Sequence, residues 1–446
     1  MNAHPSGAAK QGVLADALLG YRVDAADGTS AAHALRTRPP PYAAGVDALG
    51  YSGTYPAARL RVAGGGAGGA EVALFAYAPF TPGREQDMAH PAVAFSLLAT
   101  STAAAPINVT LFLQVPQGAY NDCDRTADGS NTISTAAAPS GAACLHACAT
   151  TPACAAWTWT AAGGACALTS SPNLSRFRAG RACGVRGGWV ASGGGGLTFV
   201  GDGGGNDPLN AQVGDVTLRP GAGTAASGAL VADDPAALWD AFANPSSPPP
   251  AGATAPTTAP AAACVGALTA TITLQPGATE AVSIVWAWHF PHKLWWKETV
   301  GQYYATLWED SGDVAAALAP ALAGAVAGIN AHHTALLGPP LGSPLPPSPI
   351  PTWLRDVLVN QFSHMRMMHW TADGRMREYE APDCPDIDCE SARPPSGALA
   401  RSQTSALNEL SPACTGAFSF FFARNFLTPA TPFTPPLTPF PFCSRA

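Results

Sequence analysis

Apolar and polar residues alternate with period two along much of the chain between Val13 and Phe290. Arg59-Leu60-Arg61-Val62, Val72–Pro79, Asn108–Val115 and Cys264–Leu274 carry this alternation, the signature of a strand with one buried face. Val13–Val23, Tyr51–Val62, Leu197–Val200, Gly214–Leu218 and Ala237–Phe242 add further strand-like runs, with turns at Gly64–Gly69 and Gln275-Pro276-Gly277. Thr37–Tyr42 (TRPPPY) is a rigid link, Gly187–Gly196 reads as a flexible return, and the low-complexity Ser246–Ala263 reads as a mobile loop. Short strands at this spacing predict a two-layer antiparallel β-sandwich.

The pattern changes across Ser283–Asp310, the stretch around which the chain is organised. Ile284–Phe290 continues the strand pattern and Pro291 ends it. From Asp313 to Gly328 the apolar residues Val314, Leu318, Leu322 and Val326 recur at helical spacing. A second helical pattern runs from Pro351 to His369, with Leu354, Val357, Leu358 and Phe362 apolar. The simplest reading of the five tryptophans here (Trp286, Trp288, Trp295, Trp296, Trp308) is a core where two layers meet.

Trp286-Ala287-Trp288-His289-Phe290-Pro291, then Gly301-Gln302-Tyr303-Tyr304-Ala305-Thr306, an Ala-rich helix, and Pro351-Thr352-Trp353-Leu354 follow one another in an order that resembles glycoside hydrolase family 116. That is the family of the non-lysosomal (bile-acid) β-glucosidase, or glucosylceramidase. Ala78-Pro79-Phe80-Thr81-Pro82 and His90–Phe95 resemble its sandwich blocks. The resemblance covers residues 12 to 390 apart from one insert, and the order of the blocks is more specific than any one of them. It implies an N-terminal β-sandwich packed on a C-terminal (α/α)6 barrel that holds the active site.

Composition narrows the partners. The chain of 446 residues is 47% hydrophobic and only 12% charged, with net charge −7 and no basic stripe, so nucleic acid is excluded as a partner. Met1–Lys10 lacks the apolar core of a signal peptide. The longest apolar run, Ala315–Ile329, is broken by Pro320 and Gly324 and makes a poor membrane span. The resemblance is compatible with membrane association, and it implies no cofactor. Cysteine usage points instead to a secreted or extracellular chain, since six of eleven cysteines lie between Cys123 and Cys183. A start missing from the sequence reconciles these signals, and no Gly-rich opening of the family's kind precedes Gly12. Asn108-Val109-Thr110 and Asn173-Leu174-Ser175 are glycosylation sequons, which matter only in a secreted chain.

The cysteine-rich stretch reads as a domain within a domain. Cys144 and Cys148 share one face of a predicted helix, Gly141–Ala149, and Ala155–Thr160 alternates as a strand that turns at Gly163-Gly164 into Cys166-Ala167-Leu168. His146 falls on the helix surface. A zinc site lacks support, because no CxxC pair and no nearby His pair is present, and no metal is expected. The pattern C-x3-C-x5-C, an aromatic strand and C-x-L, with outer cysteines at both ends, resembles the PAN/Apple fold. That resemblance implies the pairs Cys123–Cys183, Cys144–Cys166 and Cys148–Cys154, and a carbohydrate or protein ligand for the insert. The outer bridge would close a loop of roughly 60 residues, worth about 4 kcal/mol by loop entropy.

Candidate chemistry lies near the C-terminus. Retaining glycosidases need two carboxyls about 5 Å apart, one a nucleophile and one a general acid/base. Trp370–Arg375 resembles the family's turn before the active-site strand, and Arg377–Asp388 (REYEAPDCPDID) follows. By that resemblance Glu380 is the nucleophile candidate, Glu378 the runner-up, and Asp386 the residue holding sugar hydroxyls. The Glu-to-Asp spacing is shorter than the family's, and a solvated acidic loop reads the same residues equally well. The acid/base appears nowhere downstream: Phe418–Phe422 is a short aromatic run, and Thr428–Phe442 is too Pro-rich for helix.

The expected organisation is a first part of the sandwich at 12–118, a PAN-like insert at 119–187, a second part of the sandwich at 188–312, a helical linker and start of a truncated (α/α)6 barrel at 313–390, and a low-complexity tail at 391–446. The expected function is that of a retaining β-glucosidase or glucosylceramidase acting on a β-glucoside or glucosylated lipid, with most of the barrel missing and little activity in this chain alone. The alternative is a non-catalytic extracellular protein binding carbohydrate or protein.

Overall fold

The computed structural model describes residues 17–63, 67–116, 120–124, 131–170, 176–201, 214–245, 253–257, 263–292, 294–295, 298–338, 350–361 and 370–375. It is mainly β. Seven strands precede the insert: β1 (Leu18–Asp24), β2 (Ser30–Ala34), β3 (Leu49–Thr54), β4 (Ala57–Val62), β5 (Ala70–Tyr77), β6 (Ala92–Ser101) and β7 (Ile107–Pro116). The insert carries β8 (Tyr120–Asp124), β9 (Thr132–Ala137), the helix Gly141–Thr150, β10 (Ala156–Thr160), β11 (Ala165–Thr169) and β12 (Arg176–Val185). The chain then returns through β13 (Gly187–Ser192), β14 (Gly196–Gly201), β15 (Asp215–Pro220), β16 (Ala226–Ala232), β17 (Val265–Leu274) and β18 (Thr279–His289).

Two antiparallel sheets form the sandwich, in the orders β16-β17-β7-β1-β2 and β13-β14-β15-β18-β6-β5-β4-β3. Their alternating apolar residues face one another: Tyr21, Leu111, Leu113 and Leu268 from one sheet pack with Leu60, Leu74, Leu97 and Ile284 from the other. β18 is buried on both faces. Ile284 enters that core, while Val285 and Ala287 turn outward beneath Val314, Ala315 and Leu318 of the helix Ser311–Leu318. Trp286 and Trp288 line the rim of the sandwich core, half-buried.

Four segments differ from the sequence expectation. Ala237–Phe242 is helical, not extended. Asp234 accepts a hydrogen bond from the Ala236 backbone N–H at the N-terminus of the helix Pro235–Ala243, and Pro235 suits the first turn. Leu238, Trp239 and Phe242 are thereby buried together, as an i, i+1, i+4 helical face. Gly187–Ser192 is a strand, because Trp189 plugs the sandwich core. The loop 246–263 is pinned where it is described: Thr254 and Val231 exchange two backbone hydrogen bonds of 2.9 Å, and Thr257 O accepts from Ala191 N at 2.9 Å. The strap 253–257 thus joins an edge strand of each sheet, removing exposed donors at both.

The fourth difference lies in the helices. Pro320 and Gly324 do not break the Ala-rich run: Ser311–Leu318, a 3₁₀ turn at Ala319–Ala321 and Leu322–Leu337 follow without interruption. This stretch of 27 residues contains an 18-residue window of mean hydropathy 1.7, long and apolar enough to cross a membrane by length and composition alone. In the fold one of its faces lies against protein. Val326, expected on that face, is exposed, and Ile329 and His332 are buried in its place. A four-residue repeat overshoots the 3.6-residue turn, and the tighter 3₁₀ turn shifts the phase again. Likewise, in the helix Thr352–Gln361, Val357 is exposed and Val359 buried.

The insert forms its own five-stranded sheet, β8-β12-β10-β11-β9, with the helix Gly141–Thr150 packed on it. Its core is continuous with the outer face of the smaller sandwich sheet. Leu145, Trp157 and both described disulfides belong to one buried cluster with Phe112, Leu238, Trp239 and Phe242.

Candidate functional site

Glu378, Glu380 and Asp386 lie outside the described residues. The segment that delivers the chain to them, Trp370–Arg375, is described, and its local chemistry makes a tight turn. Thr371 N donates to Arg375 O at 2.9 Å and Gly374 N donates to Thr371 O at 2.9 Å. Asp373 Oδ1 accepts from the Thr371 hydroxyl and the Arg375 backbone N–H. Gly374 sits at φ +76°, a conformation that glycine adopts without strain. Asp-Gly is the residue pair that such a turn favours.

This turn is fastened to the stretch following β18. Tyr303 N donates to Trp370 O at 3.2 Å and Ala372 N donates to Val300 O at 3.1 Å, forming an antiparallel bridge between Gln302 and Thr371. The Tyr303 and Trp370 rings meet edge to face with centroids 5.0 Å apart. Tyr304 in turn locks onto the end of β18, donating to Phe290 O at 2.8 Å and accepting from Phe290 N at 3.1 Å. Burial raises the Tyr304 phenol well above its ordinary pKa, so it stays protonated and keeps donating. These contacts tie the end of β18, through Tyr304 and Tyr303, to the turn Trp370–Arg375.

An aromatic and histidine cluster supports the same junction. Tyr55 meets Phe80 edge to face at 5.2 Å, Phe80 meets His332 at 5.1 Å, and His90 stacks on Trp308 at 4.6 Å. His333 Nε2 lies 2.9 Å from Tyr55 O, and Asn360 Oδ1 accepts from Tyr55 N at 3.4 Å. Burial, with a smaller contribution from neighbouring His333, lowers the His332 pKa to about 4, so this imidazole is neutral near pH 7. Tyr303 donates to Glu85 Oε2 at 2.8 Å, and that bond raises the Tyr303 pKa. Deeper in the junction, Asp215 accepts from Ser311 N at 2.6 Å, and burial raises its pKa despite that bond. These groups hold structure together. Among the described residues, no group of three His, Cys, Asp or Glu side chains is placed to hold a metal ion.

In the insert, Cys144–Cys166 and Cys148–Cys154 are disulfides, with Cα separations of 5.5 and 5.3 Å. Cys183 is disulfide-bonded as well. The backbone of Cys123 lies in β8, opposite Phe177 of β12, and its side chain falls outside the described residues. His146 is on the helix surface, with Nε2 3.1 Å from Asp233 Oδ2 of the sandwich. Sequence reasoning missed that partner. It also missed Cys264, a free buried thiol whose pKa burial pushes up to about 12, leaving it unreactive. A strand start at Cys264 was the only available signal, and strand periodicity says nothing about thiol pairing.

Residues 210–325 match the family described as beta-glucosidase 2, glycosyl-hydrolase family 116 N-term. The match runs from before β15 into the Ala-rich helix and takes in the whole of β18, so this part of the chain is similar to that N-terminal domain. No curated protein matches the chain. Among solved structures, the GH36 alpha-galactosidase AgaB from Geobacillus stearothermophilus is similar over 60% of this chain at 11% identity, with a TM-score of 0.21. The chain spans 30% of that protein's length, and a TM-score this low does not define a shared fold.

Proposed function

We propose that this chain carries the N-terminal sandwich, and the entry into the catalytic domain, of a retaining β-glucosidase or glucosylceramidase-like hydrolase acting on β-glucosides or glucosylated lipids. The observation that carries the reading is the family match over residues 210–325, which includes β18, the strand that packs one face on the sandwich core and the other on the helix Ser311–Leu318. In this reading Glu380 attacks the anomeric carbon, Glu378 is the alternative nucleophile, and Asp386 holds sugar hydroxyls. The carboxylate adds to the sugar as the aglycone leaves, giving a glycosyl-enzyme that water then hydrolyses. The junction of Tyr303, Tyr304 and Trp370 supports the reading, because a nucleophile must be held by stiff neighbours to act.

The insert is proposed as a PAN-like module for a carbohydrate or protein ligand. The two described disulfides support that part of the reading. The test is turnover of an aryl β-glucoside with a good leaving group by the purified chain and by a Glu380→Gln variant. An activated leaving group bypasses general acid help, which is typically worth roughly 10²–10⁴-fold. The chain alone is expected to turn over little of this substrate, and whatever turnover it shows is expected to vanish in the variant. Equal turnover in both proteins removes Glu380 from the role.

A further inference from the structure

The outer face of the smaller sandwich sheet is only half covered. Outward-pointing residues of β7 run Asn108, Thr110, Phe112, Gln114. At Phe112 the face is sealed by Trp239 and Phe242 and by the insert behind them. At Asn108 it is open and polar: Asn108 and its cross-strand partner Thr273 are exposed, and its other partner, Asp24, is half-buried. Thr273 Oγ1 donates to Asn108 Oδ1 at 2.7 Å. That bond holds the carboxamide by its oxygen on an exposed residue and leaves Nδ2 without an acceptor among the described residues.

We propose that Asn108 is an N-glycosylation site and that its glycan covers the part of this face that the insert and the helix Pro235–Ala243 leave open. Three observations converge. Asn108-Val109-Thr110 has the acceptor spacing, with Asn108 on the surface. The disulfides of the insert place folding in an oxidising compartment, where oligosaccharide transfer takes place. The third observation concerns timing. In the finished fold Thr110 is 2% exposed and its hydroxyl lies 2.9 Å from Thr271 Oγ1, so an enzyme can reach the sequon only before β17 pairs with β7. β17 is synthesised about 150 residues after Thr110, which at roughly 5–20 residues per second leaves about 10–30 s of access.

The donor class is a lipid diphosphate-linked oligosaccharide. The Nδ2–C1 bond forms as the C1–O bond to the diphosphate breaks, the lipid diphosphate leaves with the electron pair, and the amide loses one proton. Asn173-Leu174-Ser175 lies outside the described residues and is kept apart by the test.

The experiment expresses the whole 446-residue chain behind a eukaryotic secretory leader and maps sites by enzymatic glycan release, which converts a glycosylated Asn to Asp. The expected result is conversion at Asn108 in the native chain, loss in Asn108→Gln and in the near-isosteric Thr110→Val, and retention in Thr110→Ser. Recovery of disulfide-bonded native chain with unmodified Asn108, or conversion confined to Asn173, overturns the proposal. Mapping on the native chain decides the matter even where a variant fails to fold.

Discussion

Trp370 stands edge-on to Tyr303 with ring centroids 5.0 Å apart, and the Trp370 carbonyl accepts the Tyr303 backbone N–H. The pair joins two segments far apart in sequence: the exit from the central strand and the turn leading toward Glu378 and Glu380. Trp370 is 7% exposed, so replacing it with Ala removes a large apolar contact and leaves a cavity. Trp370→Ala is expected to cost about 3–5 kcal/mol by denaturant titration. Trp370→Phe, which keeps an edge-to-face ring, is expected to recover more than half of that loss. Equal losses in the two variants would mean that ring contact is not what fastens the turn.

The insert is held by apolar packing, not by its visible ion pair. His146 and Asp233 are both exposed, and such pairs contribute about 0–1 kcal/mol. His146→Ala is therefore expected to leave thermal stability nearly unchanged. Trp239 is buried against Phe112 and Phe242, and a Cβ on Gly20 would come within 2.8 Å of its ring. Gly20→Val should overpack that contact and cost about 1–3 kcal/mol, with loss of protection from proteolysis in the insert as a second readout.

The two described disulfides close loops of unequal size, with sequence separations of 22 and 6. Loop entropy assigns about 3 kcal/mol to Cys144–Cys166 and about 2 kcal/mol to Cys148–Cys154. Paired Cys→Ala variants in each should lower the unfolding free energy in that order. The opposite order would indicate that native packing, not chain restriction, dominates.

His332 makes the fold acid-sensitive in a defined window. Its folded pKa of about 4 lies below the unpartnered value of 6.5, so the unfolded chain binds the proton more readily. Stability from this residue is complete above pH 6.5, declines as pH falls, and stops declining near pH 4. Asp215 acts in the opposite sense, since its raised pKa makes its ionised form the unfavourable one. His332→Phe should flatten the stability–pH slope in the His332 window. A slope unchanged in the variant would assign the acid sensitivity to other groups.

Much of this architecture was legible in the chain, for reasons visible at particular residues. A strand with one face in the core must alternate, so β7 and β17 declared themselves, and β18 stood out because Pro291 ends a run apolar on both faces. Asp234-Pro235 was a legible helix start that the apolar run after it obscured. Trp189 and the strap 253–257 could not be read, because Gly-rich and Ala/Pro-rich segments carry no periodicity and their partners are distant. The junction was legible only as a resemblance: nothing in the spacing of Tyr303 and Trp370 announces that their backbones pair.

The central proposal, that Glu380 serves as the nucleophile of a retaining β-glucosidase, is tested most directly by trapping the glycosyl-enzyme. A 2-deoxy-2-fluoro-β-glucoside with an activated leaving group slows both chemical steps, so an adduct accumulates stoichiometrically even where turnover is poor. Intact-mass measurement followed by peptide mapping of the 446-residue chain is expected to find one fluoroglucosyl unit, on Glu380, and none in Glu380→Gln. A label on another residue, or a native chain that stays unlabelled, contradicts the account.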